Sequence, residues 1–368
     1  MEALRERTGP RPRAGVTRMS LADALALGPA AWDAPLAGAE ASSPFMSWAW
    51  HRAWAEAAPA ADVAASEVLV LAGVDGGVQA LLPVLLRRIR FHRVPVTALT
   101  WAIGDLGCPD HLEFPASPQA DVDALAGTLE HVPWDVIVLS NVADRASNID
   151  RLRAACERRG WKTRRTPLWR CPYLELPDSW EAYLAGFSQH RRHEIRRMER
   201  KLRREHEVTL TDYGPDRIED GWRHLTCLHA LRWEGGGVMR EGAWERLHRS
   251  FASWLANRHQ LWLTSLDVDG APVAGCYGFS FGDTVYYYQT GWDPLWAHDN
   301  VAMILRAAMI RRAIEQGYRR FDFLRGEERY KLAWTSTARN CYEIVVIRPR
   351  GRGTVLLGLD WIARRLRR

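Results

Sequence analysis

The chain of 368 residues lacks the marks of several familiar chemistries. Its six cysteines, at 108, 156, 171, 227, 276 and 341, never approach CxxC spacing. That argues against a disulfide framework or a zinc ribbon and favours free, buried thiols in a reducing compartment. No apolar run approaches the roughly 18 residues that a membrane helix needs. The amino terminus, MEALRERTGPRPRAG, lacks the basic-then-apolar order of a signal peptide, so a cytoplasmic location is expected. GxSxG elbows, Walker loops and an intact GxGxxG are missing, which disfavours serine hydrolases, nucleoside triphosphatases and dinucleotide enzymes. His190, His193, Glu194 and His206 crowd one segment without HExxH or similar spacing, and no metal is expected.

What is present is enough apolar material, 47%, for more than one core, so two domains are the starting expectation. The 18 tryptophans are scattered and read as packing residues. Net charge is +6, but it is unevenly placed: Ser188 to His206 carries +5, and Trp361 to Arg368 adds four arginines without an acid. The remainder is mildly acidic. Two basic patches therefore suit a phosphate-rich ligand, nucleic acid or an anionic membrane surface.

Residues 1–17 read as a loose tail. After it, SPFMSWAWHRAWAEA predicts a helix, EVLVLAGVDGGVQALLPVLLRR a hairpin about Asp75-Gly76, DVIVLS a buried strand, and NIDRLRAACERRG a helix stopped by Gly160. Beyond Cys171-Pro172 the order returns. The helix AWERLHRSFASWLANRH precedes a hairpin about Asp269-Gly270, the strand TVYYYQTGWDP, the helix VAMILRAAMIRRAIEQG and the strand RRFDFLRG. This pattern predicts an α/β protein with a mixed sheet and an internal duplication, in domains 18–170 and 171–350, followed by a basic amphipathic tail, 351–368. That tail reads equally as an interfacial helix or a soluble, frayed end.

Several segments carry candidate chemistry. In GWDPLWAHDNVAMILRAAMI a tyrosine-rich strand leads through a short loop into a helix whose first turn holds no charge or proline. Asp299, Asn300, Val301 and Ala302 there form either an ordinary capped helix start or a phosphate cradle of free N–H groups. In FDFLRGEERYKLAW, alternation sets Phe321 and Phe323 on one face and Asp322 on the other. Asp322 then needs a partner, with Arg325, Arg329 and Lys331 nearest in sequence. It reads either as a structural ion pair or as a carboxylate that deprotonates an amine, a role also open to Glu327. Tyr286 and Tyr288 share a face opposite Tyr287. FSQHRRHEIRRMERKL predicts a helix with Ile195, Met198 and Leu202 buried and arginines elsewhere, either a solvated face or a phosphate grip.

The second half resembles the GNAT acyltransferase superfamily, in which a Q/R-x-x-G-x-G/A loop and helix bind the pyrophosphate of coenzyme A. Ala302 and Leu305 match that pattern, whereas Ala297 and Asn300 depart from it. Over roughly residues 40 to 335, PFMSWAWHRAWAEA, FSQHRRHEIRRMERKL, DVDGAPVAG and FDFLRGEERYKLAW are similar to the CelD-like acetyltransferases of cellulose biosynthesis, and through them to Fem-type aminoacyltransferases. The resemblance implies two GNAT-like folds in tandem and an N-acyltransferase that moves an acyl group from acyl-CoA to an amine of a small-molecule or envelope precursor. It implies catalytic roles for Asp322, Lys331, Glu327 and Tyr287, with Lys331 steadying the developing oxyanion. Donor contacts would come from Asp299, Asn300, Val301, Ala302 and Arg325, and substrate contacts from Ser188, Arg192, Arg196, Tyr286, Tyr330 and Trp233. Two alternatives stand beside it: an aminoacyl-tRNA donor, and a non-catalytic scaffold on a polysaccharide synthase at the inner membrane face. DNA is not an expected partner.

Overall fold

A computed structural model describes residues 15–36, 43–234, 237, 239 and 242–366. Most of the expected tail 1–17 lies outside the described residues, and from Gly15 onward the chain is already in a strand. Two compact units result, Met1–Trp169 with Asn340–Arg368, and Arg170–Arg339. None of the described helices is long and apolar enough to cross a membrane.

In the first unit the strands are β1 (Gly15–Ser20), β2 (Ser66–Ala72), β3 (Val78–Phe91), β4 (Val94–Trp101), β5 (Val136–Val142) and, from far along the chain, β12 (Ala338–Ile347). They lie in the order β1-β2-β3-β4-β5-β12, antiparallel except for the parallel pair β4/β5. The second unit uses the later part, from Arg170, of β6 (Lys162–Glu175), with β7 (Val208–Asp212), β8 (Leu261–Val268), β9 (Ala271–Phe281), β10 (Thr284–Trp292) and β11 (Arg320–Asp322). Here the order is β7-β8-β9-β10-β11-β6, and again one pair, β10/β11, is parallel. Strand order and sense therefore repeat.

The sixth strands are exchanged. β6 follows β5 in sequence yet pairs with β11, whereas β12 follows β11 yet pairs with β5. This corrects the expected boundaries, because residues 340–350 complete the first unit rather than a domain 171–350. The expected tail 351–368 is corrected as well. Arg352–Leu366 is a helix whose Leu356 packs with Phe91, Val96 and Ile347, and whose buried Asp360 pairs with His92 at 3.0 Å and Arg164 at 3.2 Å.

Local chemistry explains the connections. Asp269 and Gly270 both have positive φ, 51° and 80°, the conformation a two-residue hairpin turn demands. In the second unit, helix Val301–Glu315 covers the sheet face that carries Tyr287, with its apolar residues in one cluster with Phe321 and Phe323. The other face carries Tyr277 and Phe279, which meet Trp222 of helix Ile218–Arg232 at 5.3 Å and Phe251 of helix Ala243–Ala256 at 5.4 Å. Helix Ile218–Arg232 lies so close to β10 that a Cβ on Gly291 would stand 2.3 Å from the His229 nitrogen.

In the first unit, β4 and β5 pair at only two positions, Ala98 with Val136 and Leu99 with Ile137. Past them Leu112 pairs with Val142, and Leu112 and Phe114 are fully buried, so that space is filled by chain.

Because a backbone atom cannot retreat as a side-chain tip can, Gly291→Ala is expected to lower stability by about 2 kcal/mol. Urea unfolding measures it. An unchanged midpoint would show that the helix and β10 are not held at this distance.

Candidate active site

The site begins where two strands part. β10 and β11 pair in parallel over Thr284, Val285 and Tyr286 against Arg320, Phe321 and Asp322, and the ladder then stops although β10 continues to Trp292. A bulge between Tyr287 and Gln289 shifts the register of β10 against β9 at the same level. On the β11 side the chain turns away through Leu324 at φ 59° and Gly326 at φ 102°.

Asp322 anchors this turn. It is wholly buried, accepts the Leu324 N–H at 2.7 Å, and forms an ion pair with Arg339. Arg339 was not among the candidate partners Arg325, Arg329 and Lys331. Both carboxylate oxygens are engaged, so Asp322 serves as a clamp on the strand end, which accords with the structural ion pair among its two readings. Burial opposes the Arg339 charge, but Asp322 beside it raises the guanidinium's proton affinity to a net upward shift.

Lys331 lies in the short helix Arg329–Leu332 and is 4% exposed. Its Nζ donates to the Arg325 carbonyl at 2.6 Å and pairs with Glu328 at 3.0 Å. An ammonium has three donors, so one remains for a ligand. Glu327 is exposed and pairs with Arg170 at 2.7 Å.

Tyr287 is buried among Phe321, Phe323 and Arg306, and its Oη has no hydrogen-bond partner among the described residues. Burial pushes the phenol up to about 12, with Arg306 opposing, so it stays protonated at neutral pH. Tyr286 and Tyr288 face the other way, as alternation requires, and both rings lie 5.7 Å from Phe279. Tyr286 is therefore core packing on the face opposite Tyr287. Tyr330 stands between two guanidiniums, Arg306 at 4.5 Å and Arg232 at 5.4 Å. Burial first, and Glu328 second, raise its phenol pKa. Trp233 is half exposed beside Arg232. Burial and Arg232 lower His229 to about 4, leaving it neutral.

At the start of helix Val301–Glu315, Asn300 adopts the left-handed conformation, φ 55°, and makes no side-chain cap. Asp299 does not cap either, since its carboxylate pairs with Lys201 at 2.7 Å. The backbone N–H groups of Val301 and Ala302 meet no acceptor among the described residues. Arg325 contributes its carbonyl to Lys331.

A separate groove of about 640 Å³ is lined by Glu181, Gln189, Arg192, His193, Arg196 and Arg200. It lies along helix Gln189–Glu205, which buries Ile195 and Leu202 and is capped by Ser188, whose Oγ accepts the Arg191 N–H at 3.3 Å. Ser188 thus has a structural job, while Arg192 and Arg196 line open space.

Arg306, Arg232 and Arg339 were missed by sequence reasoning. Only Arg306 left a signal: in VAMILRAAMI it is the single charge in an apolar decapeptide.

With this geometry in hand, the comparisons are clear about class. Residues 189–332 match the family model of the GNAT acetyltransferase domain. The second unit therefore carries a GNAT domain, and the parted strands and the bulge belong to it. FemX is similar in structure at 11% identity over 89% of this chain and 96% of its own, with a TM-score of 0.60. The C-terminal domain of a putative lysylphosphatidylglycerol synthetase from Agrobacterium fabrum is similar at 11% identity over 93% and 95%, TM-score 0.54. A conserved protein of unknown function from Bacteroides thetaiotaomicron is similar at 14% identity over 90% and 99%, TM-score 0.54. At these identities the likeness is one of fold. No curated protein matches the chain in sequence.

Removing one member of a buried ion pair strands the other, so Asp322→Ala is expected to cost about 3 kcal/mol of stability. Chemical denaturation checks this; a full-stability variant that had lost only turnover would restore the base assignment.

Proposed function

We propose that the second unit transfers an acyl group from a coenzyme A thioester to an amine by direct attack. The observation that carries this reading is the early end of the β10/β11 ladder, which opens a sheet beside Tyr287 and a buried ammonium. The amine nitrogen attacks the thioester carbon, the C–N bond forms, and the C–S bond breaks as the carbonyl closes again. Lys331, held by Arg325 and Glu328 with one donor left, steadies the oxyanion in between. Tyr287, a phenol with its proton still in place, supplies that proton to the leaving thiolate. The proton shed by nitrogen leaves through the solvent-facing carboxylate Glu327. No enzyme nucleophile is required, which agrees with the raised thiol pKa of buried Cys276, about 12.

The donor's pyrophosphate is assigned to the N–H groups of Val301 and Ala302, where Asn300 takes the backbone shape that glycine supplies in the family loop. Lys201 offsets the charge of Asp299 there. An amine of a cell-envelope or exopolysaccharide precursor is the acceptor class that the CelD-like resemblance suggests. The arginine-lined groove favours one second reading, an aminoacyl-tRNA donor whose phosphates would occupy it.

Two measurements test these readings. Coenzyme A is expected to raise the Tm, since a ligand that binds only the folded state must stabilise it. A response to tRNA without one to coenzyme A would transfer the assignment to the second reading. Lys331→Met is expected to lower kcat by about 10²–10³ with KM little changed. A rise in KM alone would make Lys331 a binding residue only.

A further inference from the structure

Arg306 presents an electrostatic problem that the transfer reaction does not solve. Its side chain comes from the middle of helix Val301–Glu315 and is 4% exposed. It has no hydrogen bond or ion pair to any described residue, and its Nε is sealed without an acceptor. Its neighbours are two phenol rings, Tyr287 at 5.6 Å and Tyr330 at 4.5 Å. Ring faces attract a guanidinium, but they do not replace a counter-charge.

Arg232 approaches the same Tyr330 ring at 5.4 Å and spends one N–H on the Thr290 carbonyl at 3.2 Å. It too lacks an acidic partner among the described residues. The two arginines come from helices on opposite faces of the sheet, and both reach Tyr330 at the level where β10 and β11 no longer pair. Counting Lys331 with its partner Glu328 as neutral, and His229 as uncharged, this opening carries two positive charges with no acid among the described residues paired to them. The Tyr287 ring that Arg306 faces carries the proton donor of the reaction, so this opening borders the reacting centre.

We propose that Arg306 and Arg232, brought together over the Tyr330 ring, form a binding site for a carboxylate carried by a substrate of the second unit. A flat guanidinium matches a carboxylate through paired N–H donors, and burial strengthens the match. The Arg306 guanidinium is placed by the rings that it faces, Tyr287 and Tyr330, whereas the donor's phosphates are assigned to the N–H groups of Val301 and Ala302. The inference rests on the proposed acyl transfer for its biological meaning, since the carboxylate belongs either to the amine acceptor or to a dicarboxylic acyl group.

Thermal unfolding of the full chain at fixed ionic strength tests the site. The probes are N-acetylglycine and succinate, with N-acetylglycinamide as the uncharged control, on wild type and Arg306→Met. The carboxylates are expected to raise the wild-type Tm and the amide is not, with affinity weakened about tenfold to a hundredfold in Arg306→Met. No rise in the wild type, an equal rise with the amide, or an undiminished rise in Arg306→Met overturns the proposal. Urea unfolding without ligand guards against a folding artefact. Arg306→Met is expected to be at least as stable as wild type, because it removes an unbalanced buried charge. A lower midpoint would mean that the guanidinium is already satisfied in the free protein, and would equally overturn the site.

Coenzyme A separates this proposal from the proposed function. If it stabilises both proteins while the carboxylates stabilise neither, the carboxylate site falls and the transfer reading stands. If the carboxylates act and coenzyme A does not, the reverse holds. The carrier is named by adding N-acetylglycine to acetyl-CoA, and by comparing succinyl-CoA with acetyl-CoA. An Arg306-dependent gain in the first arm assigns the carboxylate to the acceptor, and in the second to the acyl group.

Discussion

The second unit depends on one constraint: two parallel strands that begin paired must be stopped from remaining so. Extending the β10/β11 ladder would satisfy more backbone groups, and the chain prevents it from both sides. A bulge at Tyr288 shifts β10, and the carboxylate of Asp322 takes the Leu324 N–H and fixes the departing turn, with Arg339 holding the carboxylate in place. A buried ion pair adds little to net stability, but it defines geometry sharply, because no alternative arrangement satisfies both charges. The clamp explains why an aspartate interrupts an apolar strand between Phe321 and Phe323.

Once the strands are apart, groups from four elements converge. Tyr287 arrives from β10, Tyr330 and Lys331 from the short helix after the turn, and Arg232 and Arg306 from helices on the two faces. Their environments differ in kind. Lys331 is surrounded by acceptors, Arg306 by aromatic rings, and Tyr287 by hydrocarbon that keeps its proton on. One opening in a sheet thus offers a held cation, an unbalanced cation and a neutral acid side by side.

Much of this was legible in the chain. Alternation assigned Phe321, Phe323 and Asp322 to their faces, the Asp-Gly pairs marked the hairpins, and the Ile195/Leu202 stripe located the buried side of the basic helix. What escaped was non-local. Arg339 lies seventeen residues after Asp322, across two turns, and no periodicity links them. Asp299 looked like a helix cap because capping is decided locally, but its charge is claimed by Lys201, 98 residues earlier. Helical periodicity also says nothing of whether a buried arginine has found a partner, and for that reason the role of Arg306 was not legible. Chain order misled in one respect, since it assigned residues 340–350 to the half that they follow.

The exchange of sixth strands bears on how the polypeptide is made. The second unit is one uninterrupted segment, Arg170–Arg339, and can close while its successor is still on the ribosome. The first unit cannot: β5 emerges early but waits for β12, nearly two hundred residues later, and in the meantime presents an open strand edge. A nascent chain stalled just past Arg339 would carry a finished second unit and a sticky, incomplete neighbour. Cutting the gene between Trp169 and Arg170 would release two fragments of unequal fate, one holding its whole unit and one dependent on a ribbon it no longer owns.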